Sequence, residues 1–208
     1  MTTPILSILT PAVPSRLDQL ATLCDEIARQ IGDQPVEHLV LLDNKKRTVG
    51  EKRDALLRMA RGQYVAFVDD DDDISLDYVA RILAAAETRP DVITFKQHAK
   101  VNDDEAIIEF KLGNQNAPFD GAPRWQKIEG KWKEILAERP VIKRNAWHIC
   151  AWSRRLAIMS HFPASNYGED WSFAAPLCAL PNLREVHIPE VLHFYNHSTA
   201  TTEAPPPA

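Results

Sequence analysis

Short apolar runs alternate with amphipathic segments over the first 96 residues, and this alternation restricts the fold more than any other feature of the sequence. Four apolar runs predict buried strands, at residues 5–9, 38–42, 64–68 and 92–96. The segments between them predict helices, at residues 15–30, 51–61 and 76–88. Strands joined through helices form right-handed βαβ units. The sequence therefore predicts an α/β protein whose sheet is mostly parallel and flanked by helices.

The second half of the chain has a different pattern. Two apolar segments flank Asn102-Asp103-Asp104-Glu105 and predict an antiparallel hairpin, at residues 98–101 and 106–112. Residues 113–140 are interpreted as a loop with one short helix near 131–138. Later segments predict strands at 148–152, 185–188 and 191–195, and helices at 154–159 and 170–180. No repeat or linker is evident, so we predict a single domain over residues 1–198. Its nucleotide-sugar-binding half is 1–96, its acceptor and catalytic half is 97–198, and 199–208 is a flexible tail.

Composition excludes several classes of protein. The net charge of -5 argues against tight, non-specific binding to nucleic acid, which needs a basic excess. The three cysteines are widely spaced and form no CxxC, so neither a disulfide framework nor a zinc site is indicated. The first residues do not resemble a signal peptide, and no apolar run reaches the roughly 18 residues of a membrane span. We expect a cytoplasmic protein without an integral membrane segment.

Polar and acidic residues follow three of the predicted strands. Thr10 follows the first strand, Asp43 the second, and five aspartates at 69–73 follow the third. Ligands of open parallel sheets bind outside the carboxyl ends of the strands. The convergence of these residues therefore predicts an active site at that edge.

The acidic run 69–73 has two interpretations. Five adjacent carboxylates repel one another unless a cation lies among them, and hard oxygen ligands suit Mn²⁺ or Mg²⁺. The alternative is a solvated acidic loop, or a charge cluster before the following helix. The position directly after a buried strand favours the metal site.

The segment around this run resembles a known family. Gly50-Glu-Lys-Arg53 opens a predicted helix, which is followed by Ala60-Arg-Gly62, an apolar strand and Asp69-Asp70-Asp71-Asp72. This order is similar to the core signature of family 2 glycosyltransferases, in which the acidic part is Asp-x-Asp-Asp. The resemblance implies a GT-A (nucleotide-diphospho-sugar transferase) fold with a smaller antiparallel part on the acceptor side. It also implies a nucleotide-sugar donor, with UDP favoured by the habit of the family.

The resemblance assigns five positions to the donor. It implies that Thr10 and Asp43 contact the base and ribose, and that Arg53 lies near the base or phosphates. Asp69 would contact the ribose or the metal, and Asp70 belongs to the same donor site. The sequence departs from the family after the second strand, where Asp43-Asn44-Lys45-Lys46 replaces Asp-Asp-Gly-Ser. The two lysines are interpreted as groups that can bind phosphate.

Metal ligands are expected from the acidic run and from the end of the chain. The resemblance implies that Asp71 binds the metal and that Asp72 is a second ligand. His193 and His197 lie four residues apart in an aromatic segment, so they share one face of a strand and either can ligate a metal. The alternative for each histidine is an ordinary solvent-facing or hydrogen-bonded side chain.

A second motif, Tyr167-Gly168-Glu169-Asp170-Trp171, resembles the Gly-Glu-Asp of the same family. A carboxylate at a helix N-terminus can accept the proton of an acceptor hydroxyl, so we expect Asp170 to be the general base, with Glu169 second. The alternative is a capping box around Ser165.

Two further groups in the second half have structural and functional interpretations. Of the five tryptophans, three or more are expected in the core, and Trp171 is the best candidate for an acceptor contact. Arg139, Lys143, Arg144 and His148 are interpreted as an ordinary charged surface rather than an acceptor patch.

The sequence thus predicts a metal-dependent, inverting glycosyltransferase that moves a sugar from a UDP-sugar to a hydroxyl group. The alternatives are a nucleotidyltransferase or sugar-nucleotide hydrolase on the same fold, and a non-catalytic sugar- or metal-binding module. The acceptor stays open among saccharides, proteins, lipid-linked molecules and hydroxylated DNA bases.

Overall fold

The computed structural model describes residues 3–123, 125–128, 131–134 and 140–197. The strands are β1 Leu6–Ala12, β2 Val36–Leu42, β3 Tyr64–Phe67, β4 Asp73–Ile74, β5 Val92–Val101, β6 Asp104–Phe110, β7 Ala122–Pro123, β8 Trp125–Ile128, β9 Lys131–Glu134, β10 Val141–Arg144, β11 Ala151–Ser153 and β12 Glu185–His197. The helices are α1 Leu17–Ile31, α2 Val49–Met59, α3 Tyr78–Ala86, α4 Arg154–Ala157 and α5 Glu169–Cys178, with a 3-10 turn at Pro14–Arg16 before α1. The predicted tail, 199–208, lies outside the described residues.

The central sheet has the strand order β10-β6-β5-β11-β3-β1-β2. Strand β1 runs parallel to both β2 and β3, as the alternating pattern predicts. Strand β5 does not lie beside β3, because the short β11 pairs antiparallel with both. Strand β12 leaves this path, pairing parallel with β5 and antiparallel with β4. The predicted α/β architecture with a mostly parallel sheet is therefore confirmed, with one antiparallel strand inserted at its centre.

Most differences from the predicted elements lie in the second half. The predicted hairpin forms between β5 and β6, but its first arm belongs to one strand that begins at Val92. The two late strands are a single strand, β12, with an irregular pairing between His187 and His193. The loop with a helix near 131–138 is wrong where the structure describes it, because Lys131–Glu134 is a strand paired with Trp125–Ile128. Residues 135–139 lie outside the described residues.

Aromatic packing connects the central sheet to helix α5. Phe67 of β3 packs edge-on against Phe162 and Phe173, with ring centroids 5.1 and 6.3 Å away. The rings of Phe162 and Phe173 stack at 4.3 Å. Phe67 and Phe173 are fully buried, so these contacts remove large apolar surfaces from water. They hold the start of α5 beside the end of β3.

A close backbone contact brings helix α2 to the same place. A Cβ atom at Gly50 would lie 1.9 Å from the carbonyl oxygen of Pro163, so only glycine fits there. The Gly50 N–H donates to the Ser165 carbonyl oxygen at 3.0 Å. A capping box between Thr48 and Glu51 starts α2. The first turns of α2 and α5 are thereby held together, which juxtaposes the two predicted motifs.

In the part of the chain that the structure describes, no helix combines the length and apolar character needed to cross a membrane.

Candidate active site

A cleft of about 720 Å³ opens where β1 and β3 end, between the first turns of α2 and α5 and the last residues of β12. Eight of the predicted site residues line it: Arg53, Asp69, Asp70, Asp71, Asp72, Glu169, Asp170 and His197. Residues more than a hundred positions apart in the sequence therefore meet at the carboxyl edge of the parallel strands.

The acidic run is held against the end of β1. The Oδ2 atom of Asp70 accepts the Val13 backbone N–H at 2.8 Å. Arg16 donates from Nη1 to Asp70 Oδ1 at 2.9 Å and places Nη2 at 3.0 Å from Asp71 Oδ2. Burial raises the pKa of Asp70, and the Arg16 hydrogen bond opposes that rise. One guanidinium group thus spans two neighbouring carboxylates of the run.

Arg53 connects the two motifs. Its Nη2 donates to Asp69 Oδ2 at 2.6 Å and its Nη1 to Glu169 Oε1 at 2.7 Å, and its side chain is only 5% exposed. Burial alone would lower the pKa of Arg53, but the carboxylates of Asp69 and Glu169 outweigh burial and raise it. A buried cation therefore fixes Asp69 and Glu169 relative to each other.

Negative charge is crowded around Asp71 and Asp72. Burial, followed by the charge of Asp69, raises the pKa of Asp71 to about 6. The pKa of Asp72 lies well above its ordinary value for the same two reasons and because of Asp71. Within the described residues, Asp69 Oδ1 and Asp72 Oδ1 are buried without a hydrogen-bond partner. These oxygens have room to accept a further positive group.

The two histidines predicted as metal ligands occupy different positions. His193 is fully buried beside the cleft, with Nε2 3.4 Å from Asp72 Oδ2 and Nδ1 3.0 Å from Gln97 Nε2. Burial lowers the pKa of His193 to about 4, so its ring is neutral at pH 7. His197 lines the cleft, and its Nδ1 lies 3.2 Å from the Tyr195 hydroxyl. Among the described residues, no three or more His, Cys, Asp or Glu side chains form a ready-made metal cage.

Glu169 and Asp170 differ in their partners. Glu169 is buried and bound to Arg53, whereas Asp170 Oδ2 accepts the indole N–H of Trp147 at 3.2 Å. The other oxygen of Asp170 accepts the Trp171 backbone N–H at 2.7 Å. Gly168 precedes them with a φ of 73°, a left-handed conformation that suits glycine and turns the chain into α5. Asp170 therefore accepts its hydrogen bonds from neutral groups, whereas Glu169 is paired with a cation.

Besides the buried His193, three predicted residues are not brought to the wall of the cleft. The side chain of Thr10 is fully buried between β1 and β2, where its Oγ1 lies 2.9 Å from His38 Nε2. Asp43 accepts the Arg47 backbone N–H and lies behind the lining residues. Trp171 is half exposed and faces a second, smaller cavity instead.

Several lining residues were missed by sequence reasoning. Arg16 and Lys52 point toward the end of β1, where Lys52 Nζ donates to the Ala12 carbonyl oxygen at 3.2 Å. Arg144 and His148 also line the cleft, so their interpretation as an ordinary charged surface is wrong; Arg139 lies outside the described residues. Of the two lysines after β2, Lys45 lines the cleft. No local signal identifies Arg16 or Lys52, because each reaches the cleft only through the tertiary fold.

Comparison with known proteins places the chain in a family. Residues 17–160, well over half of the 208-residue chain, match glycosyl transferase family 2. The chain belongs to that family. A comparison with proteins of curated function finds no match.

Solved structures with the same fold include TarS of S. aureus. The structure of TarS 1-349 in complex with UDP superposes with a TM-score of 0.60 at 15% identity, over 91% of this chain and 59% of that one. The complex with UDP-GlcNAc gives a TM-score of 0.57 at 14% identity, over 96% and 61%. The chain spans only 36% of the longer TarS structure, to which it is 15% identical with a TM-score of 0.59. At these identities the likeness establishes the fold, which is the predicted GT-A fold.

Proposed function

We propose that the chain transfers a sugar from a nucleotide-sugar, with UDP as the favoured nucleotide, to a hydroxyl group of an acceptor. The observation that carries this proposal is the meeting, in one cleft, of the acidic run and the Glu169-Asp170 pair through the buried Arg53. Membership of glycosyl transferase family 2 supports it. So do structures with the same fold, described as complexes with UDP and UDP-GlcNAc.

We further propose that the donor binds together with Mn²⁺ or Mg²⁺. Such ions take one or two protein carboxylates and complete their shell with water and substrate phosphates, so a full protein cage is not required. Asp71 and Asp72 fit this use, because their crowded charge is relieved by a cation and Asp72 Oδ1 has no partner among the described residues. We propose His197, which lines the cleft, as a further ligand, and His193, whose Nε2 lies 3.4 Å from Asp72 Oδ2, as a support for Asp72. When bound, the ion would offset the charge of the departing diphosphate.

The protein groups around the reacting atoms have separate tasks. Asp170 accepts the proton of the acceptor hydroxyl, while Trp147 and the Trp171 backbone N–H orient its two oxygens. Glu169 does not take this proton, because its carboxylate is committed to Arg53; it positions Asp170 and the acidic run. The acceptor oxygen then bonds to the anomeric carbon as the bond from that carbon to the diphosphate breaks. Attack from the face opposite the leaving group inverts the configuration.

The first test is donor binding. We would titrate UDP, GDP and UDP-GlcNAc into the protein with and without Mn²⁺ and follow thermal unfolding. A ligand present at 100 times its Kd stabilises the native state by about 2.7 kcal/mol, which shifts the midpoint by several degrees. A Mn²⁺-dependent shift with a uridine nucleotide is expected. No shift with any nucleotide, with or without metal, would contradict the donor proposal.

The second test concerns the base. Asp170→Asn keeps the shape of the side chain but cannot accept the proton, so transfer should fall by about 10²–10⁴-fold. The measurement is UDP release from UDP-sugars in the presence of acceptor mixtures, with UDP affinity as the control for folding. Full activity of Asp170→Asn would exclude this assignment, and a deeper loss in Glu169→Gln with normal UDP binding would exchange the two roles.

A further inference from the structure

A second cavity, of about 200 Å³, lies against helix α5 and shares one described lining residue with the cleft. Trp147 lines both spaces. Its ring lies 5.8 Å from that of Trp171, centroid to centroid, at an angle of 46°. Trp171 is 50% exposed. The cavity therefore presents an open aromatic face next to the cleft.

The carboxylate of Asp170 lies at the boundary between the two spaces. It lines the cleft, and its two oxygens are bonded to the indole N–H of Trp147 and the backbone N–H of Trp171. Both tryptophans line the second cavity. A molecule held in that cavity is thus adjacent to the residue proposed as the base, without displacing anything in the charged cleft.

The side chains that line the second cavity suit an uncharged ligand. Small side chains of α5 and of the residue after it, Ala174, Ala175 and Ala179, form part of the wall and leave the space open. The described residues that line the cavity include no acidic or basic side chain. Cys178 is a neutral thiol, because burial raises its pKa to about 12.

Two amide side chains complete the wall. Asn116 Oδ1 accepts the Asn145 backbone N–H at 2.9 Å, and Asn145 Oδ1 accepts the Ala146 backbone N–H at 2.9 Å. Because each amide oxygen already accepts from the backbone, the group that each side chain can offer to a ligand is its NH₂ donor. The site therefore offers amide donors beside an aromatic face.

We propose that this cavity is the acceptor subsite and that it takes an uncharged sugar, stacked on Trp171, whose hydroxyls accept from Asn116 and Asn145. This inference rests on the proposed glycosyl transfer and names its acceptor class. The C–H faces of sugars stack on single indole rings, and hydroxyl groups accept from amide NH₂ groups. At about 30 Å³ per water molecule, the volume equals roughly seven waters, which is the scale of one ring.

The same geometry disfavours a DNA base as the occupant. A base turned out of a duplex is held between roughly parallel rings, and the tilted pair Trp147 and Trp171 leaves no such slot. Its flanking phosphates would also need basic partners, and none of the described lining residues is Lys or Arg.

The test measures sugar binding and UDP binding separately on the same variants. The probes are glucose, N-acetylglucosamine and galactose, with cellotetraose, maltotetraose and chitotetraose, detected by saturation-transfer NMR in the presence of UDP. Glucose 6-phosphate and a hydroxymethylcytosine oligonucleotide are the charged comparisons. The variants are Trp171→Ala, Trp171→Phe, which keeps an aromatic face, and Ala175→Trp, which fills the cavity. Ile158→Ala is the matched control, since Ile158 is an exposed apolar residue elsewhere on the surface.

At least one neutral sugar should bind the wild-type protein. Its affinity should be at least about 10-fold lower in Trp171→Ala and Ala175→Trp. In Trp171→Phe and Ile158→Ala, its affinity should stay within about 3-fold of the wild-type value. UDP affinity should stay within about 2-fold in all variants. Sugar affinity that is unchanged in Trp171→Ala and Ala175→Trp would overturn the inference. Binding that depends on Trp171 but is seen only with the phosphorylated sugar or the oligonucleotide would also overturn it. No sugar binding by a protein that binds UDP would also overturn it. Sugar binding that depends on Trp171, in a protein that does not bind UDP, would contradict the proposed function. It would still support a sugar-binding site in the cavity.

Discussion

Trp147 lines both the cleft and the second cavity, but the other residues around the two spaces differ in kind. Around the cleft, buried carboxylates are matched against guanidinium groups, above all at Arg53 and Arg16. The described lining of the second cavity is aromatic, small and neutral. A diphosphate needs a charged site, and an uncharged ring does not. The difference implies that substitutions in the cleft change stability, metal binding and nucleotide binding together. Substitutions in the cavity should change the binding of one ligand only.

The largest effect is expected at Arg53. Arg53→Met leaves the buried carboxylate of Glu169 and the partly buried carboxylate of Asp69 without their cation, which should lower the free energy of unfolding by about 3–5 kcal/mol. Urea denaturation measures this change. The matched control is Arg58→Met on the same helix, because the exposed pair Arg58–Asp54 contributes less than about 1 kcal/mol. Equal losses in the two variants would show that Arg53 is not the buried support described above.

The next effect separates two members of the acidic run. Asp71→Asn removes a proposed metal ligand, so transfer should fall by about 10²–10³-fold and Mn²⁺ should no longer raise UDP affinity. Asp73→Asn is the control, because Asp73 is exposed and does not line the cleft. Calorimetric titration of UDP with and without Mn²⁺ measures the coupling. Undiminished metal dependence in Asp71→Asn would remove this residue from the metal site.

The sequence predicts the part of this site that depends on local pattern. The strands before Asp69 and the helix after Gly168 follow from apolar periodicity and turn residues, and a strand end followed by acids predicts the edge of the sheet at which a ligand binds. The fold of the first half follows for the same reason. The strand predicted at 148–152 forms as β11, Ala151–Ser153, but its antiparallel position between β3 and β5 could not be predicted, because local pattern does not specify which strands pair.

The contacts that organise the site were not predictable from local pattern. Arg53 meets Glu169 across 116 positions through the packing of α2 on α5, which depends on the close approach at Gly50. Thr10 shows a different limit. Strand β1 continues to Ala12, so Thr10 lies inside the strand and its side chain contacts His38, whereas Pro11 and Val13 line the cleft. A displacement of three residues in a predicted strand end thus changes which side chain faces the ligand.

A smaller effect is expected from Arg16. Its guanidinium group contacts Asp71 at 3.0 Å, where it occupies the side of the carboxylate that a metal ion would share. Arg16→Gln should therefore bind Mn²⁺ up to about 10-fold more tightly in the absence of nucleotide, equivalent to about 1.4 kcal/mol. The control is Arg47→Gln, which removes a cleft-lining cation that pairs with Asp43 instead. Weaker Mn²⁺ binding in Arg16→Gln would mean that Arg16 supports the metal site rather than competing with the ion.

The smallest effect concerns which region makes the free energy of unfolding depend on pH, the sheet next to the cleft or the second cavity. Burial lowers the pKa of His38 to about 4, against an ordinary value of 6.5, and its ring is bound to Thr10. Because the unfolded chain takes up this proton first, His38 favours unfolding as the pH falls from 6.5 toward 4; above 6.5 it has no such effect.

The loss attributable to His38 should be about 1 kcal/mol at pH 5.5. His38→Asn should remove that part of the acid sensitivity, while His161→Asn, at an exposed position, should not. Cavity variants should keep the wild-type pH dependence, because Cys178 stays neutral throughout this range. Urea unfolding at pH 7.5 and 5.5 measures the difference. An identical pH dependence in His38→Asn and the wild-type protein would show that His38, beside Thr10, does not cause the loss of stability in acid. Other buried groups, such as His148 and His193, would then account for it.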